Sequence, residues 1–368
     1  MSKVFSILKI PICLLLCIEM GCSAYPGRAL KNISSGSIET DSYLDGNNSY
    51  STPIQQNKTY DIDSLLKKNG SILTDKEPCK IKYHELNLKN RNIIVESQIG
   101  TTGNKYPAVL DTGASQAIII SSMIVRKNKL PIYPIENETI DFNGNSLGIC
   151  QLSELKIDEV NLKNWPCIYL EPYGTLNFLG IPIASTSYNH ENIILGLPLL
   201  REFKYIIFDN INKEVELSHS QSFEPCCSTG WKKYPISIEE DFHGNMFLFV
   251  RLSIEGYETE LQLDTGSGKG LAIGERLWTL IKDELKGVKL RKGKDFYPYI
   301  GNLNCKRGKA TELEFGNRTV INPEISTFSD DSPLLDGCEG LVGMQFFSNT
   351  LFVLDFEHDL MWLREQNC

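Results

Sequence analysis

Residues 107–113 read Pro107-Ala108-Val109-Leu110-Asp111-Thr112-Gly113, and residues 260–266 read Glu260-Leu261-Gln262-Leu263-Asp264-Thr265-Gly266. Each is a short run, largely apolar, that stops at Asp-Thr-Gly. A strand ending in that tripeptide sets a carboxylate on a tight turn, and the glycine lets a neighbouring backbone come close. One copy says little, because Asp, Thr and Gly are all common near turns. Two copies, 153 residues apart with matched flanks, raise the question of whether the rest of the chain repeats too.

It does. The first half closes with Ile193-Ile194-Leu195-Gly196-Leu197-Pro198-Leu199-Leu200, then Tyr205-Ile206-Ile207-Phe208-Asp209 and Glu214-Val215-Glu216-Leu217. The second closes with Gly340-Leu341-Val342-Gly343-Met344-Gln345-Phe346-Phe347, then Leu351-Phe352-Val353-Leu354-Asp355 and Leu360-Met361-Trp362-Leu363. From the Asp of the tripeptide to the Gly of the closing run is 85 residues in one half and 79 in the other. From that Gly to the next Asp is 13 against 12, and from that Asp to the last Leu is 8 in both. Landmarks that stay in step over this length mark a duplicated unit.

Within each unit the runs are short, alternating or wholly apolar, and punctuated by Gly and Asn, which is the pattern of β-strands and hairpins. Thr102-Gly103-Asn104 reads as a hairpin turn, and Asn143-Gly144 and Gly301-Asn302 read as hairpin tips. Ser121 is placed to N-cap a short helix through Arg126, and a second helix is expected over 276–285. The expected fold is all-β with a few short helices: two β-barrel lobes related by a pseudo-twofold axis. The lobes are placed at 81–219 and 236–368, with a connector at 220–235 rich in Ser, Pro, Cys and Gly.

The chain has 368 residues, 41% apolar and 23% charged, enough for two cores of ordinary composition. A net charge of −9 argues against nucleic acid as a partner, since phosphate binding calls for clustered Lys and Arg. At the N-terminus Lys3 and Lys9 precede the apolar run 10–18, too short to span a membrane and right for a signal-peptide core. Residues 1–21 therefore read as a signal, and Gly21-Cys22 resembles a bacterial lipoprotein processing site. Glu19 departs from the aliphatic residue usual there. Export with lipidation at Cys22, and so a membrane partner by lipid anchor at the cell envelope, is the expectation; cleavage and release is the alternative. Residues 22–80, rich in Ser, Asn, Asp, Gly and Lys, read as a tether, with a propeptide as the other reading. Of eleven cysteines, eight remain after Cys13, Cys17 and Cys22, an even number that suits disulfides in an exported chain. Pairings within lobes, Cys150 with Cys167 and Cys305 with Cys338, are the guess made here. No Cys-x-x-Cys or His-x-x-x-His run offers metal ligands, so neither a metal nor a cofactor is expected.

A pseudo-twofold axis sets equivalent residues side by side. Asp111 and Asp264 would then meet, and two carboxyls that close hold one proton between them over a wide pH range. That supplies a base for a water and an acid for a carbonyl in one place. Thr112 and Thr265 are the candidates to tie the two turns together, with Gly113 and Gly266 leaving backbone amides near the carboxylates.

Asp111-Thr112-Gly113-Ala114-Ser115, a glycine hairpin and Ile193-Ile194-Leu195-Gly196 together resemble a lobe of a retropepsin-like aspartic protease. Asp264-Thr265-Gly266-Ser267-Gly268 with Gly340-Leu341-Val342-Gly343 resembles a second, as in the single-chain bacterial members of that superfamily. The resemblance covers about residues 85–217 and 240–365. It implies a catalytic pair Asp111 and Asp264, an extended peptide substrate held under hairpin flaps, and a monomer that is internally a pseudo-dimer. Asn143, Gly144, Gly301 and Tyr299 are the corresponding flap candidates, although the Tyr-bearing flap of the pepsin branch has no clear match. Ser267-Gly268 stands where the first motif has Ala-Ser.

Other readings fit less well. Nothing points to the carbohydrate groove of a two-carboxylate glycosidase. Gly266-Ser267-Gly268-Lys269-Gly270 lacks phosphate-loop spacing, and Gly113-Ala114-Ser115 lacks the glycine that follows a nucleophilic serine. A peptide-binding protein on the same scaffold, with weak or no turnover, stays open as a second class.

Overall fold

The computed structural model describes residues 70–84, 92–100, 103–133, 140–142, 145–170, 176–178, 181–184, 192–226, 229–241, 244–297, 301–335 and 338–365. These residues form short strands joined by tight turns, with three helical segments of seven, four and seven residues, Ser122–Asn128, Leu197–Leu200 and Glu275–Ile281, and one 3-10 turn, Met344–Phe347. The fold is the all-β, two-lobed one that the repeat implies.

In the first lobe Ile94–Ile99 and Lys105–Asp111 form an antiparallel hairpin. The outer half of Lys105–Asp111 alternates between exposed and buried, while Ala108 to Asp111 are all buried. The cover comes from Ile193–Gly196, which runs parallel to it with Gly196 opposite Asp111, and antiparallel to Ile118–Ser121. A strand paired on both edges and covered on both faces must be apolar throughout, and Ile193, Ile194 and Leu195 supply that. The second lobe repeats the arrangement. Gly340–Gly343 runs parallel to Tyr257–Asp264 with Gly343 opposite Asp264, and antiparallel to Leu271–Gly274. The landmarks that stay in step along the sequence are thus direct neighbours in space. Equivalent backbone bonds fasten the turns: Leu197 N–H donates to Ala114 O at 2.9 Å, and Met344 N–H to Ser267 O at 2.8 Å.

A six-stranded antiparallel sheet joins the lobes, in the order Cys79–His84, Glu214–Ser218, Tyr205–Asp209, Thr350–Asp355, Leu360–Glu365, Trp231–Glu240. Its central pair has Ile207 opposite Val353, Tyr205 opposite Asp355 and Asp209 opposite Leu351. Exchanging each residue for its counterpart in the other half leaves this register unchanged, so the pseudo-twofold axis passes between Ile207 and Val353. Phe208, Phe352 and Phe347 stack beneath, with ring centroids 5.1 and 4.5 Å apart. Stacked aromatics bury large area and hold the two halves in one core.

Several boundaries differ from expectation. Ser71–Thr74 pairs with 160–163, and Cys79–His84 joins the interlobe sheet, so strands of the fold lie inside the segment read as a tether. Composition hid these strands because their partners lie far along the chain. The connector 220–235 likewise contains the start of Trp231–Glu240. Ser121 does cap a helix, accepting Ile124 N–H at 3.4 Å, but that helix runs to Asn128. The second helix ends at Ile281 rather than 285.

Candidate active site

Asp111 and Asp264 are the last residues of Lys105–Asp111 and Tyr257–Asp264, and both are fully buried. Their turns meet across the pseudo-twofold axis. A Cβ on Gly113 would lie 2.7 Å from Asp264 Oδ1, and one on Gly266 would lie 2.3 Å from Asp111 Oδ1. Only a residue without a side chain allows each turn to lie against the opposite carboxylate this closely. Burial, then the charge of the neighbouring Asp111 carboxyl, then hydrogen bonding with it hold the Asp264 carboxyl well above the usual carboxylate range, opposed by the N–H groups of Ser267 and Gly266. Asp111 Oδ1 accepts Gly113 N–H at 2.9 Å, and Asp264 Oδ1 accepts Ser267 N–H at 2.9 Å. Asp264 Oδ2, buried as well, has no hydrogen-bond partner among the described residues. It is an acceptor, or a proton donor when protonated, left for a reactant.

Thr112 and Thr265 hold the turns together. Thr112 N–H donates to Thr265 Oγ1 and Thr265 N–H donates to Thr112 Oγ1, both at 3.0 Å. The Thr112 hydroxyl donates to Leu263 O at 2.7 Å and the Thr265 hydroxyl to Leu110 O at 2.9 Å. A hydroxyl both donates and accepts, so each threonine satisfies an amide and a carbonyl that burial would otherwise leave unpaired. The accepting carbonyls belong to the residues just before the aspartates, and the lattice therefore sets the carboxyl spacing directly.

Two residues near the site carry no motif. Asn92 Nδ2 donates to Gly266 O at 2.7 Å, reaching from the first lobe to the second. Asn245, buried in the second lobe, accepts from Ser115 Oγ and from Gln116 Nε2, each at 3.3 Å. They stand 153 residues apart, the interval between the two aspartates, and that offset was the one available signal.

The flap candidates divide. Ile140–Phe142 and Asn145–Ile157 pair antiparallel with Phe142 opposite Asn145, and the candidates Asn143 and Gly144 lie outside the described residues. In the second lobe Gly301 and Asn302 are strand residues, opposite Tyr297 and Phe296. This corrects the expected tip at Gly301-Asn302. Pro298 has no N–H for a ladder, and the pairing ends at the residue before it. Tyr299 lies outside the described residues. This hairpin is tied to the loop after Asp264, since buried Asp295 pairs with Lys269 at 3.4 Å and Arg307 at 2.9 Å.

The cysteines show no bond among Cys79, Cys150, Cys167, Cys226 and Cys305, which are thiols, whereas disulfides were expected. Cys150 nevertheless lies directly opposite Cys167, both fully buried, and Cys305 and Cys338 pack in one apolar cluster. Burial, then the charge of Asp295, pushes the Cys305 thiol up to about 12, so it is inert as a nucleophile. Cys22 lies outside the described residues.

Fold and site define an aspartic-protease-like scaffold of two lobes. Solved structures similar to the chain include an aspartic proteinase from Irpex lacteus, 11% identical with a TM-score of 0.47, covering 78% of this chain and 97% of that one. Conglutin gamma, a basic 7S globulin from lupine seeds, is 9% identical with a TM-score of 0.45, covering 80% and 95%. A retropepsin-like aspartic protease from Rickettsia conorii is 14% identical with a TM-score of 0.25, covering 37% and 95%. No family model and no curated protein matches the chain.

Proposed function

We propose that the protein is an aspartic endopeptidase in which Asp111 and Asp264 hydrolyse peptide bonds with one shared proton. The observation that carries this reading is the pair itself: two fully buried carboxyls, each against the opposite turn's glycine, on turns tied by reciprocal threonine hydrogen bonds. The ionised member takes a proton from water as the water adds to the peptide carbonyl, and the protonated member donates to the carbonyl oxygen. Proton transfer to the leaving nitrogen then breaks the C–N bond and returns the pair to its singly protonated state. Buried surroundings strengthen each of these interactions relative to water. An extended peptide would lie along strand edges, with the strand pairs Ile140–Phe142/Asn145–Ile157 and Arg291–Tyr297/Gly301–Lys309 as the proposed covering hairpins.

The same proposal includes a single-chain monomer, exported and anchored through lipid on Cys22. In that setting Cys150 and Cys167 close to a disulfide, losing two protons and two electrons to a disulfide-bearing oxidant, which is reduced to dithiol. A peptide library digested by wild type and by Asp264→Asn, read by mass spectrometry across pH, tests the activity. Cuts that depend on Asp264 support it. Peptides retained without any Asp-dependent cut would favour a binding protein instead.

A further inference from the structure

We infer that Asn92 is a positioning residue for the pair: its side-chain amide acts on Asp264 through the Gly266–Ser267 peptide. The inference rests on reading Asp111 and Asp264 as the reacting groups.

Asn92 is 1% exposed and stands just before Ile94–Ile99 in the first lobe. It donates to the Gly266 carbonyl at 2.7 Å. That carbonyl and the Ser267 N–H belong to one peptide unit, and the Ser267 N–H donates to Asp264 Oδ1 at 2.9 Å. A donor on the oxygen of an amide draws electron density towards it and makes the N–H at the other end a better donor; hydrogen bonds in a chain polarise one another. Asn92 therefore strengthens the bond that favours ionised Asp264, against burial and the neighbouring Asp111.

Asn245, its counterpart across the axis, is wired differently. Its Nδ2 donates to Asp241 Oδ1 and Oδ2 at 3.1 and 2.9 Å, while its Oδ1 takes the side chains of Ser115 and Gln116. Its amide hydrogens are committed to Asp241 rather than to the Gly113 carbonyl. A symmetric scaffold with one amide relay makes its two carboxyls inequivalent, which a site needing one acid and one base requires. Asp111 is the titratable group that faces Asp264. The parallel strand Gly340–Gly343 and the turn 112–117 bring no other, and Lys269, further along the loop, pairs with Asp295.

The test compares wild type, Asn92→Leu and Asn245→Leu by the pH profile of kcat/KM on a cleaved peptide, and by carbon NMR titration of carboxyl-labelled aspartate, which needs no turnover. Asn92→Leu is expected to move the alkaline limb, set by the carboxyl held higher, and the Asp264 carboxyl titration upward by about 0.5–1 on the pH axis. Asn245→Leu is expected to leave the alkaline limb in place. If Asn92→Leu does not fold, Asn92→Ser, too short to reach Gly266 O, is read in the same way. A lowered Tm with limb and resonance unmoved, or an equal movement in Asn245→Leu, would overturn the inference. Should wild type cleave nothing while the resonance still moves in Asn92→Leu, the protease reading falls and the relay stands. Should wild type cleave with the resonance unmoved, the relay falls alone.

Discussion

Thr112 and Thr265 each donate a backbone N–H to the other's hydroxyl at 3.0 Å, across the pseudo-twofold axis. The same hydroxyls then donate to the carbonyls of Leu263 and Leu110. Fold and chemistry meet at this point, because the bonds that join the lobes also set the distance between Asp111 and Asp264.

Thr265→Val keeps the shape but removes the hydroxyl, leaving Thr112 N–H and Leu110 O buried without it. Two such groups cost about 2–4 kcal/mol, or about 5–10 °C in Tm for a chain of this size. Thr112→Val should match it, and Thr265→Ser should recover most of the loss. Calorimetry of the three variants checks this; an unchanged Tm in Thr265→Val would show that the lattice does not hold the lobes.

Gly266→Ala places a Cβ 2.3 Å from the Asp111 carboxyl, which must move aside. Misplacing a reacting group by about 1 Å costs on the order of a hundredfold in rate. Peptide hydrolysis should fall by about that factor while circular dichroism stays unchanged. Gly113→Ala, 2.7 Å from Asp264, should behave alike.

The raised Asp264 carboxyl has a consequence for stability. A carboxyl held above its unfolded value contributes stability in acid, and that contribution is lost as pH rises through the folded value. Wild type should therefore lose stability between the ordinary carboxylate range and neutral pH. Asp264→Asn removes the titration and, at neutral pH, should melt above wild type. Thermal melts of both proteins from pH 4 to pH 8 check the sign; a wild type that stabilises with rising pH would contradict it.

Cys150 faces Cys167 on neighbouring strands, both out of contact with solvent. Protein folded in an oxidising compartment should carry these residues as one crosslinked peptide, lighter by two hydrogens before reduction. Recovery of both as alkylated thiols after denaturation would argue for a reducing environment.

Much of this architecture was legible because it was written twice. The Asp-Thr-Gly turns and the runs ending at Gly196 and Gly343 are local patterns, and their matched spacing reflects strands that pair in parallel at Asp111 and Asp264. What stayed hidden was pairing over long distance. Ser71–Thr74 has no strand signal until it meets 160–163, and nothing local tells Tyr205–Asp209 to pair with Thr350–Asp355. The glycine at 301 misled because glycine marks turns more often than strands, and the proline at 298 was the better sign. Asn92 and Asn245 were invisible as site residues, since a buried side-chain amide acquires its role only from the carbonyl or hydroxyl that the other lobe presents.

The most direct measurement is kcat/KM against pH for wild type, Asp111→Asn and Asp264→Asn on one cleaved peptide. Two carboxyls sharing a proton predict a bell on the acid side of neutral for wild type, and for both variants a rate lower by orders of magnitude at every pH. Either variant keeping the wild-type rate, or a wild-type optimum in the alkaline range, would contradict a proton shared by Asp111 and Asp264.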